Sequence, residues 1–426
     1  MNNKINERKE RINKLWKKAH DVLNSVYGEM PDVRMLNRFY SEMMIFGKSD
    51  SIIFWDLVAK IRDRARERGY TTSIGGTDGS CFTAYLLGLC ENPLPLHYYC
   101  PLCKRVEFIN ERALPWDLPD KACSCGELMR ADGFDIPYEI HIASAHKPWP
   151  NIWVDPRFIG EVGEFVRELM GDVYRICTLT KPDLTAAKFV FLPYDGEPDF
   201  EESIEAAEGR YNDYPHVTII PLDMYERASK LSEETGVDFS KINPANPRVI
   251  AELADGNIEN IPNFTSKSRD MREDLHLAAP RSSYDLLQFL GAMHGTNTWR
   301  NNAECLIRDG ICSMGEISTH RDDVFLLLRD KLREAGHEDA GIAYNLAMKI
   351  RYGSFARNGM DAESRALLEY LDLPEWFIPY AEKIQYMFPK AHNVESLRTS
   401  LTFMWYKINY PEAFNKVMMD FEGEYE

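Results

Sequence analysis

The sequence predicts an α+β protein, and three observations carry that prediction. Residues 6–23, 31–46 and 51–68 set apolar side chains at helical spacing among many charges. Between residues 138 and 275, short apolar runs such as KFVFLP and HVTIIPLD are broken by glycine and proline, as in a sheet. From about residue 282 the pattern is almost continuously helical, ending in KINYPEAFNKVMMDFEGEYE.

The 426 residues suffice for two or three domains, and with 44% hydrophobic and 12% aromatic residues the chain can bury a large core. Lysine and arginine total 50 against 67 acidic residues, a formal net charge of -17. Such a balance repels a polyanion unless basic residues are gathered locally. No run of about 18 apolar residues spans a membrane, and the charged opening MNNKINERKERINKLWKKAH lacks the apolar centre of a signal peptide, so a cytoplasmic protein is expected.

The opening helix is basic: Lys4, Arg8, Lys9, Arg11, Lys14, Lys17 and Lys18 stand against Glu7 and Glu10. It reads as a solvated face or as a phosphate-contacting arm. A second run, Lys60, Arg62, Arg64, Arg66 and Arg68, spreads around a helix circumference and reads as a solvated face.

Next comes GYTTSIGGTDGSCFTAYLLGL, a polar strand, a glycine-rich turn and an apolar helix beginning near Ser80. Backbone N–H groups of Gly76, Gly79 and Ser80 would converge on a phosphate at such a turn, although GGTDG fits no Walker or dinucleotide pattern and a plain tight turn is the alternative. Cys81, beside this turn, is either a thiol with lowered pKa or a buried structural one.

Four of nine cysteines crowd one segment. Cys100 and Cys103 form a Cys-x-x-Cys knuckle, and Cys123 and Cys125 a pair one residue shorter. Without a secretion signal this clustering favours metal over disulfides. Four thiolates close a tetrahedral shell, so structural zinc is expected, the alternatives being four reduced thiols or three thiolates completed by His97 or His141.

In KPWPNIWVDPRF, residues 147–158, a short strand lies between two proline-bearing breaks, with Asn151, Trp153 and Asp155 on one face. The amide and indole are unexpected there once the neighbouring residues are considered. NPLPLHYYCPLCKRVEFI and LPDKACSCGELMRADGFDIPYE resemble the zinc-knuckle segment of the PolC-type DNA polymerase III alpha subunit of low-GC Gram-positive bacteria. LLQFLGAMHGTNTWRNNAECLIRDGICSMGEISTHRDDVFLLL and LPEWFIPYAEKIQYMFPKAH are similar to that family's helical fingers.

The resemblance implies a polymerase-like palm with a zinc-knuckle insert, followed by a predominantly helical fingers-like region. Residues 1–92 would hold the N-terminal helices and the first part of the palm, 93–137 the insert, 138–275 a degenerate palm segment and 276–426 the fingers. It also implies a core cut down relative to the full enzyme.

Nucleotidyl transfer in the family is expected to use three palm aspartates holding two magnesium ions. The positions matching the first two, written Asp-x-Asp after a proline, carry Asn151 and Trp153 here, and Thr218 stands at the third. Gly75 occupies the arginine position of the family's Gly-Ser-Arg-Gly turn, and the Thr-Gly-Gln-His-Pro-Gly-Gly motif is missing. Asp155 and Asp223 are the carboxylates to which a relocated site would turn, the alternative of an active polymerase. A magnesium pair tolerates little displacement, and an indole at residue 153 would fill the space of hydrated ions.

Fingers motifs persist in HGTNTW, HRDD and MFPKAH, making His294, Arg321, Lys390 and His392 candidate nucleotide, template or phosphate contacts. The alternative is that they pack and cap helices. The expectation is a catalytically inactive PolC-like homologue with structural zinc and no catalytic magnesium. Its partner would be single-stranded or primed DNA, or a replication protein, in the manner of an accessory factor or decoy of a mobile element or phage, with no membrane involved.

Overall fold

The computed structural model describes residues 2–49, 51–141, 149–181, 186–194, 196–207, 209–264 and 271–422. Three helices open the chain: α1 (Asn2–Tyr27), α2 (Val33–Ser49) and α3 (Ile52–Glu67). Leu15, Ala19, Leu23 and Tyr27 recur every four residues on α1 and are buried, as are Met35, Phe39, Met43 and Phe46 on α2. The first two turns of α3 are buried on every side, which places this helix in the middle of its layer.

These helices cover one face of a six-stranded mixed sheet, ordered β1-β6-β10-β8-β7-β9. Its strands are β1 (Thr72–Ile74), β6 (Asn151–Val154), β7 (Tyr174–Thr180), β8 (Ala187–Pro193), β9 (Phe200–Ser203) and β10 (His216–Pro221). β6 runs antiparallel to β1 and parallel to β10. Ile74, Ile152, Val154, Val217 and Ile219 point into the core shared with the opening helices.

A second sheet, β3-β2-β5-β4, forms the insert from β2 (His97–Tyr99), β3 (Val106–Phe108), β4 (Lys121–Ala122) and β5 (Leu128–Asp132). It touches both halves of the molecule. On one side, the Lys104 ammonium donates to the Ser25 carbonyl and the Arg34 guanidinium lies 3.4 Å above the Phe108 ring. On the other, Asp117 accepts from Ser283 N, Ser283 Oγ and Tyr284 N at 2.7–3.0 Å, capping the helix Ser283–His294.

The remaining helices bury a second large core, and its membership crosses the expected domain limits. Leu114, Phe134 and Ile136 of the insert belong to it, and so do Ala228, Leu231 and Val249, all before residue 276. The stretch from 138 to 275, expected as strands and loops, also contains α5 (Ile159–Met170) and the helices Asp223–Thr235 and Pro247–Ala254. Glycines in α5 and polar residues in Asp223–Thr235 weaken their sequence signal. Packing of Val162, Val166 and Met170, spaced by four, decides the first, and Gly236 at φ 70° terminates the second. Conversely, the helix expected near Ser80 is only α4 (Phe82–Leu86), because Gly88 at φ +73° turns the chain out.

Candidate functional site

β6 forms where its pattern places it, with register Asn151 to Thr218 and Trp153 to Ile220 on β10, and Trp153 to Ser73 on β1. Paired residues on neighbouring strands face the same way, so Asn151, Trp153 and Thr218 share the face turned away from the opening helices. Asp155 does not continue that face. It is fully buried at the start of a short 3₁₀ turn, where it accepts from Arg157 N and forms a 2.8 Å ion pair with Arg157 Nη2. Asp223 is exposed in the first turn of the helix Asp223–Thr235. Lys147 and Pro148, which open the first proline break, lie outside the described residues.

Asn151 is tied to Asp78 of the GGTDG turn: its backbone N–H donates at 2.7 Å and its Nδ2 at 3.0 Å to one carboxylate oxygen. Asp78 is buried and was not singled out by sequence reasoning, though its place inside the glycine turn was the available signal. Gly75 is explained by contact: a Cβ there would sit 2.9 Å from Trp153 Nε1 and 3.1 Å from Asn151 Cβ. The indole and a longer residue at position 75 exclude one another.

Trp153 is 7% exposed. Its ring meets His392 edge-on at 5.0 Å, and His392 meets Phe388 at 4.9 Å, with His294 5.1 Å from Phe388. These three partners come from the helix Lys390–Asn409, the residues before it and the end of the helix Ser283–His294. Burial pushes His392 down to about 4, aided by His294, and pushes His294 down too, so both imidazoles are neutral at pH 7.

Lys390 and Arg321, read as phosphate contacts, are instead 3% and 1% exposed. The Lys390 ammonium lies 2.8 Å from Asp323 Oδ1, and Lys390 N donates to Asp322 Oδ2 at 2.8 Å. Burial alone would raise the Asp323 carboxyl, but the Lys390 charge holds it well below the usual range, while Asp323 holds Lys390 above its own. Arg321 lies 3.4 Å from Asp322. A buried polar chain links this pair to the seam: His320 is 3.2 Å from Asp323 and 3.0 Å from Asn393, which is 2.7 Å from His294.

The glycine turn is likewise covered. Gly76 takes φ +61°, but Gly79 and Ser80 are buried, and a Cβ on Gly79 would lie 3.4 Å from Ala391. The N-terminal end of the helix Lys390–Asn409 therefore sits where a phosphate was expected. Two further contacts, absent from the sequence reading, fasten that helix: Ser73 Oγ donates to Glu395 at 2.8 Å, and Arg398 pairs with Glu91 at 2.7 Å. Burial pushes Glu91 up to about 7 against the pull of Arg398. Cys81 is a buried thiol pushed up by burial and by the Glu42 carboxylate, not down.

The four clustered cysteines do converge. Among the described residues theirs is the group of three or more ligand-type side chains whose donor atoms lie close together, all within 4.8 Å. Cys100 Sγ lies 3.5 Å from Cys125 Sγ, and Cys103 Sγ 3.5 Å from Cys123 Sγ. Sulfurs about 2.3 Å from a tetrahedral zinc are separated by about 3.8 Å, so the set fits that ion. Each pair sits on a tight turn, with Lys104 at φ 66° after the first and Gly126 at φ 91° after the second. Within the cluster a backbone N–H of Cys125 pushes Cys123 down to about 6, while Cys125, drawn down by the Glu127 N–H, is pushed up overall by the Cys100 and Cys123 thiols, so the four sulfurs share their protons. His97 is committed to Tyr27 and the Pro95 carbonyl, and His141 to Asp78 and Thr77, so neither completes the cluster.

A four-cysteine sheet set between a mixed sheet and a helical body fits a polymerase-like fold. The family model for the bacterial DNA polymerase III alpha subunit finger domain matches residues 218–324. Over most of its length the chain is similar to PolC-type DNA polymerase III proteins. It is 27% identical to the DNA polymerase III PolC-type of Caldanaerobacter subterraneus subsp. tengcongensis, with 93% of this chain and 33% of the relative covered. The corresponding protein of Streptococcus agalactiae is 27% identical over 96% of this chain and 32% of its own length. That of Thermotoga maritima is 26% identical over 97% and 35%. The chain thus spans about a third of these relatives.

Proposed function

We propose that this protein is a catalytically inactive PolC-like homologue that works in the cytoplasm as a scaffold for DNA or a replication protein, with zinc as a structural staple at Cys100, Cys103, Cys123 and Cys125. The observation that carries the reading is the composition of one strand face. Asn151, Trp153 and Thr218 offer an amide, an indole and a hydroxyl where two divalent ions would need carboxylates. The contacts of Trp153 with His392 and of Gly79 with Ala391 support it further, because they fill the space between sheet and fingers-like helices.

An active site rebuilt on Asp155 and Asp223 gains no support. The first is buried against Arg157 and the second is exposed on a different element. Zinc with four thiolates has no open coordination position, so its role is to hold the insert, and through Asp117 the helix Ser283–His294, in place.

Primer extension on a short primed template, with four deoxynucleotides and either magnesium or manganese, tests the reading. The expectation is no extension above an Asp155→Ala, Asp223→Ala control. Extension that the control loses would establish a relocated site and end the proposal.

A further inference from the structure

A groove of about 960 Å³ runs along α1 and is closed on its other side by Asp56 and Lys60 of α3. Its walls carry Arg11, Lys14, Lys17, Lys18 and Lys60 against Glu10, Asp21 and Asp56. In a chain of net charge -17 this is a local reversal of sign. Asp56 is spent on Lys60, 2.7 Å away, whereas Lys14, Lys17 and Lys18 have no carboxylate within ion-pair distance among the described residues and are exposed.

We propose that this groove is a track for the phosphate backbone of DNA. The claim deepens the scaffold reading and rests on it. Arg11, Lys14 and Lys18 stand three and four residues apart, a stripe about 10 Å long on one side of α1. Over that length one strand of a duplex presents about three phosphates. Lysines are mobile point charges suited to sequence-independent contacts. No aromatic ring lines the groove for base stacking, so duplex is favoured over single strand. The groove lies on α1, whose buried side faces the core shared with the sheet's opposite face, so it is separate from the strand face of Asn151, Trp153 and Thr218.

The test is fluorescence anisotropy of the full chain with a labelled 30-base-pair duplex and the corresponding single strand, across a salt series. Lys14→Glu/Lys18→Glu is compared with Lys241→Glu/Lys416→Glu, which lowers net charge equally at distant exposed sites. The expected result is salt-dependent duplex binding by the wild type and the control. The α1 variant should bind at least about tenfold more weakly, its log–log salt slope falling by about 2. Equal binding by the two variants, preference for the single strand, or no DNA binding by the wild type would overturn the proposal. Primer extension is scored on the same wild-type sample: extension would sink the inactive-polymerase reading whatever the groove does, while loss of groove binding alone leaves that reading standing.

Discussion

Trp153 of the mixed sheet and His392 of the long C-terminal helix pack edge to face, their ring centroids 5.0 Å apart and their planes at 80°. With Ser73–Glu395 and Arg398–Glu91, this pair joins the two bodies of the protein, and it does so at the strand face that a polymerase would leave open to nucleotide and metal. The indole also presses on Gly75 and lies near Tyr225, so it serves as the keystone of the seam.

Trp153→Ala should therefore cost about 3–5 kcal/mol, the range for removing a large buried aromatic ring. Urea denaturation of wild type and variant measures it. A loss below 1 kcal/mol would mean that the two bodies do not depend on the seam.

Restoring a carboxylate should be harmful on its own. An aspartate at position 151 would face the buried Asp78 with no N–H from a side chain between them, and like charges at that distance force one group to keep its proton. Asn151→Asp is expected to destabilise the protein more at pH 8 than at pH 5. Adding Asp78→Asn should recover much of the loss. Thermal melts at the two pH values decide this, and an Asn151→Asp variant as stable as wild type at pH 8 would refute the coupling.

His392 supplies a pH dependence with a definite sign. Its folded value is about 4 and its unfolded value about 6.5, so below about 6.5 the unfolded chain binds the extra proton and stability falls as pH drops toward 4. Glu91, pushed up to about 7, acts in the opposite sense over much of that window, so the term has to be isolated by difference. Relative to wild type, His392→Phe should gain about 2 kcal/mol on going from pH 7 to pH 5. Denaturant titrations at both pH values check it, and a difference independent of pH would contradict burial of the neutral ring.

Lys390→Met should be severe, on the order of 3–5 kcal/mol, because Asp323 would remain buried without its counter-charge. If these two residues served an exposed phosphate site instead, the variant would lose binding and keep its stability.

Metal release should act locally first. Chelation, or Cys123→Ser, is expected to free about one zinc per chain and expose amides of residues 97–132 to hydrogen exchange, spreading to the helix capped by Asp117. Hydrogen exchange with mass detection reads the order of events. Uniform exposure of the whole chain would show that the insert has no separate role.

Much of this arrangement was legible in the residues. Helical spacing gave α1 to α3, and cysteine spacing gave the cluster, because both patterns are local. The strand face at 151 and 153 followed from alternation, and its pairing with Thr218 required the resemblance to locate β10. What escaped was long-range. Asp78 lies 73 residues from Asn151, and Glu395 lies 322 residues from Ser73, with no local pattern to announce either bond. Lys390 and Arg321 looked like ligands because they are basic residues in polymerase-like motifs. Only tertiary packing brings Asp323, 67 residues away, against Lys390 and buries Arg321 beside Asp322.

The most direct measurement of the central claim is a manganese titration of the zinc-loaded protein, followed by electron paramagnetic resonance of the free ion. The account predicts no manganese bound more tightly than about millimolar, since an amide, an indole and a hydroxyl supply no carboxylate charge to hold a hydrated divalent ion. Two manganese ions bound at micromolar levels, and lost on Asp155→Ala/Asp223→Ala substitution, would contradict it.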